Sequence, residues 1–361
     1  MNLDNLEYFF DLKLKNETFH PRKLQLPRDR SFILFGARGV GKSSLIIDYL
    51  QFKGNKYLYI DAQDPIFVFD DISKDEIEDF IKQEMIETLV IDHFFDGFLE
   101  DLPKVRQLIL ISRDKNSINS KTLDSFELLP LDYEEFLGFE RVLTPQIAFN
   151  HFLKLGTLPK VAKGSIGDSF MNLRESFLEK FDEMEARLLL IIARFHSRRV
   201  SPHHLYTTGK EYFKISKDWT YKTIKKFQKE GVIYYVDEVL SNRVKKIVIY
   251  DFALAKYLNK RISFSQTFDS MILLALLKHN FEFLSFSELG YFIVNRSRLI
   301  SPAPFATKEQ SIKIFFSKIH DLKKFGILSV ALVSISNRYS FTLDGIKFEA
   351  MPFYEWSILN E

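Results

Sequence analysis

Hydrophobic positions in the first third of the chain fall in short unbroken runs rather than in alternation. They stand at residues 31–35, 56–60, 88–91, 107–111 and 125–129. Between the second and third runs, Ile77, Phe80, Ile81 and Glu84 recur at helical spacing within 75–87. Continuous apolar strands alternating with helices predict an α/β fold whose parallel sheet is covered on both faces. Polar residues follow three of the runs: Asp61, Asp92 and Ser112. Ligands of such sheets bind at the carboxyl ends of the strands, so this polar edge is the expected site.

The pattern changes farther along. An apolar helix at 185–195 is followed by Ser201-Pro202, a cap and a first-turn proline. Ser216 then caps a helix that runs to Glu230 and stops at Gly231. Strands at 232–236 and 247–250 complete an expected α+β winged helix. After residue 262 come a helix at 268–277, an amphipathic helix at 308–324 ended by Gly326, and strands at 327–333 and 338–342. That order predicts a second winged-helix-like unit, and the expected division is 1–150, 151–262 and 263–361.

The first run leads into Gly36-Ala37-Arg38-Gly39-Val40-Gly41-Lys42-Ser43, which fits the phosphate-loop pattern G-x-x-x-x-G-K-[ST]. Glycines let backbone N–H groups turn inward on phosphate oxygens, and the following helix adds its positive end. Gly36, Arg38, Gly39, Val40, Gly41, Lys42, Ser43 and Ser44 are therefore the candidate ATP-binding residues. Lys42 is expected to reach the β- and γ-phosphates. Ser43 and Asp92 are expected to ligate Mg²⁺, and Ser112 to sense the γ-phosphate.

The chain has 361 residues and no cysteine, which excludes disulfides and thiolate chemistry. Its apolar runs are too short to span a bilayer and its start lacks a signal-peptide pattern, so a cytoplasmic protein is expected. The formal net charge of +2 hides an asymmetry. Residues 1–150 hold 18 basic and 27 acidic side chains, while 186–262 hold 17 and six. The basic excess falls on the predicted winged helix. Lys222, Lys225, Lys226 and Lys229 lie on its third helix; Arg243, Lys245 and Lys246 lie on its wing. Such a footprint predicts contact with double-stranded DNA.

Residues 30–260 resemble the bacterial and archaeal ATPases of the AAA+/STAND type. The features carrying the resemblance are the phosphate loop, Tyr59-Ile60-Asp61-Ala62-Gln63-Asp64-Pro65, the strand ending at Asp92, the segment Leu128-Leu129-Pro130-Leu131-Asp132-Tyr133-Glu134-Glu135-Phe136-Leu137, and Gly156-Thr157-Leu158-Pro159. The resemblance implies ATP binding, with a winged helix after the ATPase domain. It also implies a glutamate after the Walker B aspartate, where this chain has His93, and a Gly-Arg pair that the chain lacks at 121–125. Imidazole titrates near neutrality and can act as a base, so His93 joins Lys42, Asp92 and Ser112 as a candidate catalytic residue. Two functions follow as expectations. One is an ATPase that couples nucleotide state to a DNA-binding winged helix. The other is a weakly hydrolysing ATP-dependent switch that recruits a protein partner or self-associates. Relatives that end in a nuclease-like fold carry an Asp…Glu-x-Lys site; Glu349 is followed by Ala350 and Met351, so no nuclease is expected.

Overall fold

The computed structural model describes residues 2–12, 14, 19–54, 56–68, 72–114, 123–139, 144–239, 241–279, 281–286 and 289–359, with backbone alone for 2–4, 241–243 and 359. The chain forms two compact units, Met1–Pro130 with Lys229–Gly231, and Leu131–Gln228 with Val232–Glu361.

In the first unit the five apolar runs become β1 (Phe32–Phe35), β2 (Tyr57–Asp61), β3 (Thr88–Asp92), β4 (Gln107–Ile111) and β5 (Asp124–Glu127). They pair in the order β2-β3-β4-β1-β5, every pair parallel. β3 and β4 are buried at every position, as unbroken hydrophobic runs require. Ile33, Leu58, Ile60, Leu89, Ile91, Leu108 and Leu110 pack with Ile77, Phe80 and Ile81 of the helix Lys74–Gln83. Each such side chain contributes about 2 kcal/mol of burial. A capping box between Ser73 and Glu76 starts that helix. The helix Lys42–Leu50 follows β1, buries Leu45, Ile46 and Leu50, and tightens into the short 3₁₀ turn Gln51–Lys53 before Gly54.

The second unit opens its winged helix with helices Glu183–Arg194, Pro202–Lys210 and Lys217–Lys229. β6 (Arg198–Val200), β7 (Ile233–Glu238) and β8 (Ser241–Ile249) accompany them, β8 pairing antiparallel with both others. The expected caps are present. Ser201 Oγ accepts from His204 N at 3.2 Å, and Ser216 Oγ from Trp219 N at 3.1 Å.

Residues 263–361 depart from the expected second copy of that pattern. After the helix Phe264–Lys278, β9 (Phe283–Phe286), β10 (Gly290–Ile293) and β11 (Arg298–Pro302) form an antiparallel meander. β12 (Ser329–Ser334) lies parallel between β11 and β14 (Ile346–Pro352), and β13 (Tyr339–Leu343) pairs with β14 instead of β12. The 308–324 segment is two helices, Lys308–Phe316 and Ile319–Lys324, broken at Ser317 and Lys318. Among the described residues the strands of the unit join one sheet in the order β13-β14-β12-β11-β10-β9-β7-β8-β6. The parallel link between β7 and β9 is a single bridge, Glu238 to Ser285.

Candidate phosphate-binding and strand-end site

The loop between β1 and the helix Lys42–Leu50 has the backbone that its glycines permit. Gly36 adopts φ 148°, and a Cβ there would stand 2.3 Å from the Leu128 carbonyl oxygen. Gly41, at φ 95°, turns the chain into the helix in the left-handed region. The Lys42 ammonium donates to the carbonyl oxygens of Gly36 at 2.7 Å and Ala37 at 2.9 Å. Desolvation lowers its pKa to about 8, against the pull of Asp92 upward.

Two arginines shape the loop. Arg22 was not singled out in the sequence. Its guanidinium is buried and donates to Val40 O and Leu129 O, both at 2.7 Å, tying the loop to the segment after β5. Arg38, expected on phosphate, makes an ion pair within the first unit. Its Nη2 lies 2.9 Å from Glu230 Oε2, with both side chains buried. Gly39 and Val40 follow Arg38 in the loop, Val40 buried, and Ser44 is exposed in the first turn of the helix.

The parallel register of β2 and β3 sets Asp61 beside Asp92 at the carboxyl edge. Asp92 is 2% exposed. One of its oxygens accepts from the Tyr59 hydroxyl at 2.5 Å, the other from the His93 N–H at 2.7 Å. The Ser43 side chain acts on the same phenol, pulling its pKa down against burial. Burial, then the Asp92 charge, raise the Tyr59 pKa far above the usual phenol range, so its proton stays on oxygen. His93 sits in the left-handed region at φ 53° and places Nδ1 2.8 Å from Asp61 Oδ1. That hydrogen bond raises the imidazole pKa against the cost of burial. Burial pushes the Asp61 carboxyl up, but the hydrogen bonds from His93 and the Gln63 N–H bring it below its usual range. Tyr59 and Asp61 thus complete a strand-end cluster of which sequence analysis had singled out Ser43, Asp92 and His93. Asp61 was legible as a strand-end residue; Tyr59 was hidden among the apolar positions of its strand. Ser112 is buried at the end of β4, its hydroxyl engaged with the backbone of Asp114.

The basic positions of the winged helix divide by environment. Lys222 and Lys225 are exposed. Lys226 lies 2.6 Å from Glu185, Lys229 3.9 Å from Asp114, and Lys245 2.7 Å from Asp237. The Arg243 side chain lies outside the described residues. Lys246 departs from the expected wing surface: it is buried, with Nζ 3.1 Å from Asp269 and 4.6 Å from the centre of the Tyr291 ring. Adjacent residues of a strand face opposite sides, so Lys245 and Lys246 cannot both look outward.

A parallel sheet with a phosphate loop after β1 and an aspartate at the end of β3 gives the first unit a P-loop nucleotide-binding fold, and a winged-helix-like segment follows it in the chain. No family model and no curated protein matches it. Among solved structures it is similar in fold to the Walker-type ATPase of Pyrococcus abyssi, at 14% identity and TM-score 0.41, over 63% of this chain and 90% of that one. It is also similar to the Aeropyrum pernix ORC1 protein solved in complex with DNA, at 12% identity and TM-score 0.33, over 64% and 87%. A third similarity is to a STAND protein with a tetratricopeptide repeat sensor from Pyrococcus horikoshii, at 14% identity and TM-score 0.30, over 69% and 43%. Among the described residues no helix is long and apolar enough to cross a membrane.

Proposed function

We propose that the chain binds ATP at its phosphate loop and uses the bound nucleotide as a switch, with hydrolysis slow and dependent on His93. The carrying observation is Lys42, a desolvated ammonium held on two carbonyl oxygens of its own loop. Backbone carbonyls offset its charge poorly, and a polyphosphate offsets it well. The loop glycines supply N–H groups to the same anion, and Arg22 keeps the loop in shape through Val40.

Mg²⁺ suits the residues at hand. A carboxylate and a hydroxyl, Asp92 and Ser43, are hard oxygen ligands of the kind it prefers. When bound it would neutralise charge on the phosphates. His93 takes the place of the expected glutamate. Asp61 accepts the Nδ1 proton, which leaves Nε2 as the basic nitrogen to orient and deprotonate a water. Ser112 is buried and bonded to its own turn, which favours a role in holding that turn over direct contact with phosphate.

Two measurements test this reading: equilibrium binding of a fluorescent, non-hydrolysable ATP analogue, and turnover of ATP, each on wild type, Lys42→Ala and His93→Asn. The expected result is binding lost at least tenfold in Lys42→Ala, and binding kept with turnover abolished in His93→Asn. Equal binding by wild type and Lys42→Ala refutes it.

A DNA-binding role for the winged helix is the second reading, favoured by exposed Lys222 and Lys225 on its third helix. Ion pairs at Lys226, Lys229 and Lys245 and the burial of Lys246 leave a smaller basic face than composition suggests. The alternative occupant of this face is a protein partner.

A further inference from the structure

The phenol of Tyr59 stands between the two residues that the proposed function gives to the metal ion. Its hydroxyl donates to Asp92 Oδ2 at 2.5 Å, and the Ser43 side chain acts on the phenol from the loop side. The other Asp92 oxygen already accepts from the His93 N–H. A carboxylate 2% exposed would be costly without those donors. The tyrosine is itself buried, at 8% exposure, on the sheet face opposite that of Leu58 and Ile60. Its burial holds the ring, and its hydroxyl reaches one carboxylate oxygen.

We infer that Tyr59 is an internal stand-in for the divalent cation, a neutral O–H that satisfies Asp92 beside Ser43 until Mg²⁺ displaces it. This rests on the ATP-binding reading above. Its consequence is a chain that accepts nucleotide without metal and takes up Mg²⁺ only against the cost of breaking the phenol–carboxylate hydrogen bond. Hydrogen bonds to charged groups contribute more than neutral ones, so Tyr59 weakens metal uptake roughly ten- to a hundredfold. The side chain thus sets how sharply the site distinguishes metal-free from metal-bound nucleotide. A phenylalanine there would keep the packing and remove the competitor.

The test uses the full chain saturated with a non-hydrolysable ATP analogue and titrated with Mn²⁺, a paramagnetic substitute for Mg²⁺ read by electron paramagnetic resonance. Tyr59→Phe is expected to bind Mn²⁺ at least tenfold more tightly than wild type, and to lose thermal stability in the metal-free state. Adding Asp92→Asn to either background is expected to remove the high-affinity Mn²⁺ signal. An unchanged or weaker Mn²⁺ affinity in Tyr59→Phe overturns the inference while nucleotide binding stands. Absence of analogue binding by wild type, with chelator and with Mn²⁺ alike, overturns the ATP reading and this inference with it. Should Tyr59→Phe fail to fold, the wild type carries the test alone. Adding Mg²⁺ to its nucleotide complex must shift the tyrosine ultraviolet difference spectrum as the phenol leaves the carboxylate, and a flat spectrum overturns the proposal.

Discussion

His93 occupies a backbone position that few side chains tolerate. Its φ of 53° lies in the left-handed region, where non-glycine residues are uncommon and histidine, asparagine and aspartate are enriched. The Asp61 contact is what this geometry achieves, and it has a pH signature. The hydrogen bond raises the imidazole pKa above 6.5. A group so raised contributes stability that is full below its unfolded pKa and fades as pH rises through the folded one. Base catalysis has the opposite sign, since only neutral imidazole accepts a proton. The turnover of wild type should therefore rise with pH along a limb centred above 6.5. Asp61→Asn should move that limb to lower pH while cutting the plateau about tenfold. An NMR titration of the His93 ring gives the same midpoint without turnover, and an identical midpoint in both proteins would count against the dyad. His93 was visible in the sequence as a departure from a pattern. Its partner was not, because the contact depends on parallel register, which no local spacing encodes.

At the level of elements, four apolar runs of the first unit were legible because strands buried on both faces leave continuous hydrophobic sequence, whereas β5 is a largely exposed edge strand. All five became strands of the parallel sheet. The later half resisted the same reading for two physical reasons. Tyr339–Leu343 and Ile346–Pro352 meet at Asp344-Gly345, whose positive φ values of 49° and 85° suit a tight hairpin, yet β14 alternates exposed and buried residues and offers no apolar run to find. The parallel pairing of β11 with β12 joins strands separated by two helices, and nothing local announces it. The wing shows the same lesson at finer grain. Charge counting treated Lys245 and Lys246 alike, whereas alternation along β8 sends one outward and one into the core. Lys246→Ala should destabilise the second unit by about 3 kcal/mol, because it strands the Asp269 carboxylate. Lys245→Ala, whose ion pair with Asp237 is half exposed, should stay within about 0.5 kcal/mol. Urea midpoints of the two variants check this, and equal midpoints would contradict the burial of Lys246.

For the molecule as a whole, the charge asymmetry gives the DNA reading its test. Each phosphate contact contributes about one unit to the slope of log affinity against log salt. Lys222 and Lys225 are two of the exposed cations of that helix, and replacing both by alanine should lower that slope by about two for duplex DNA. A slope that does not change, or no binding at low salt, assigns this face to a protein partner. The proposed division at residue 262 meets a sheet that crosses it. β7 touches β9 through one bridge and the Val239 N–H bond to Ser285 O. Side chains reinforce this thin seam: Lys246 and Ser197 both reach Asp269, and Lys246 also reaches Tyr291. In evolutionary terms the seam is a graft line with a lock. Recombination there would sever little backbone pairing. A replacement segment would fit only if it brought a carboxylate to meet a lysine already buried on the other side.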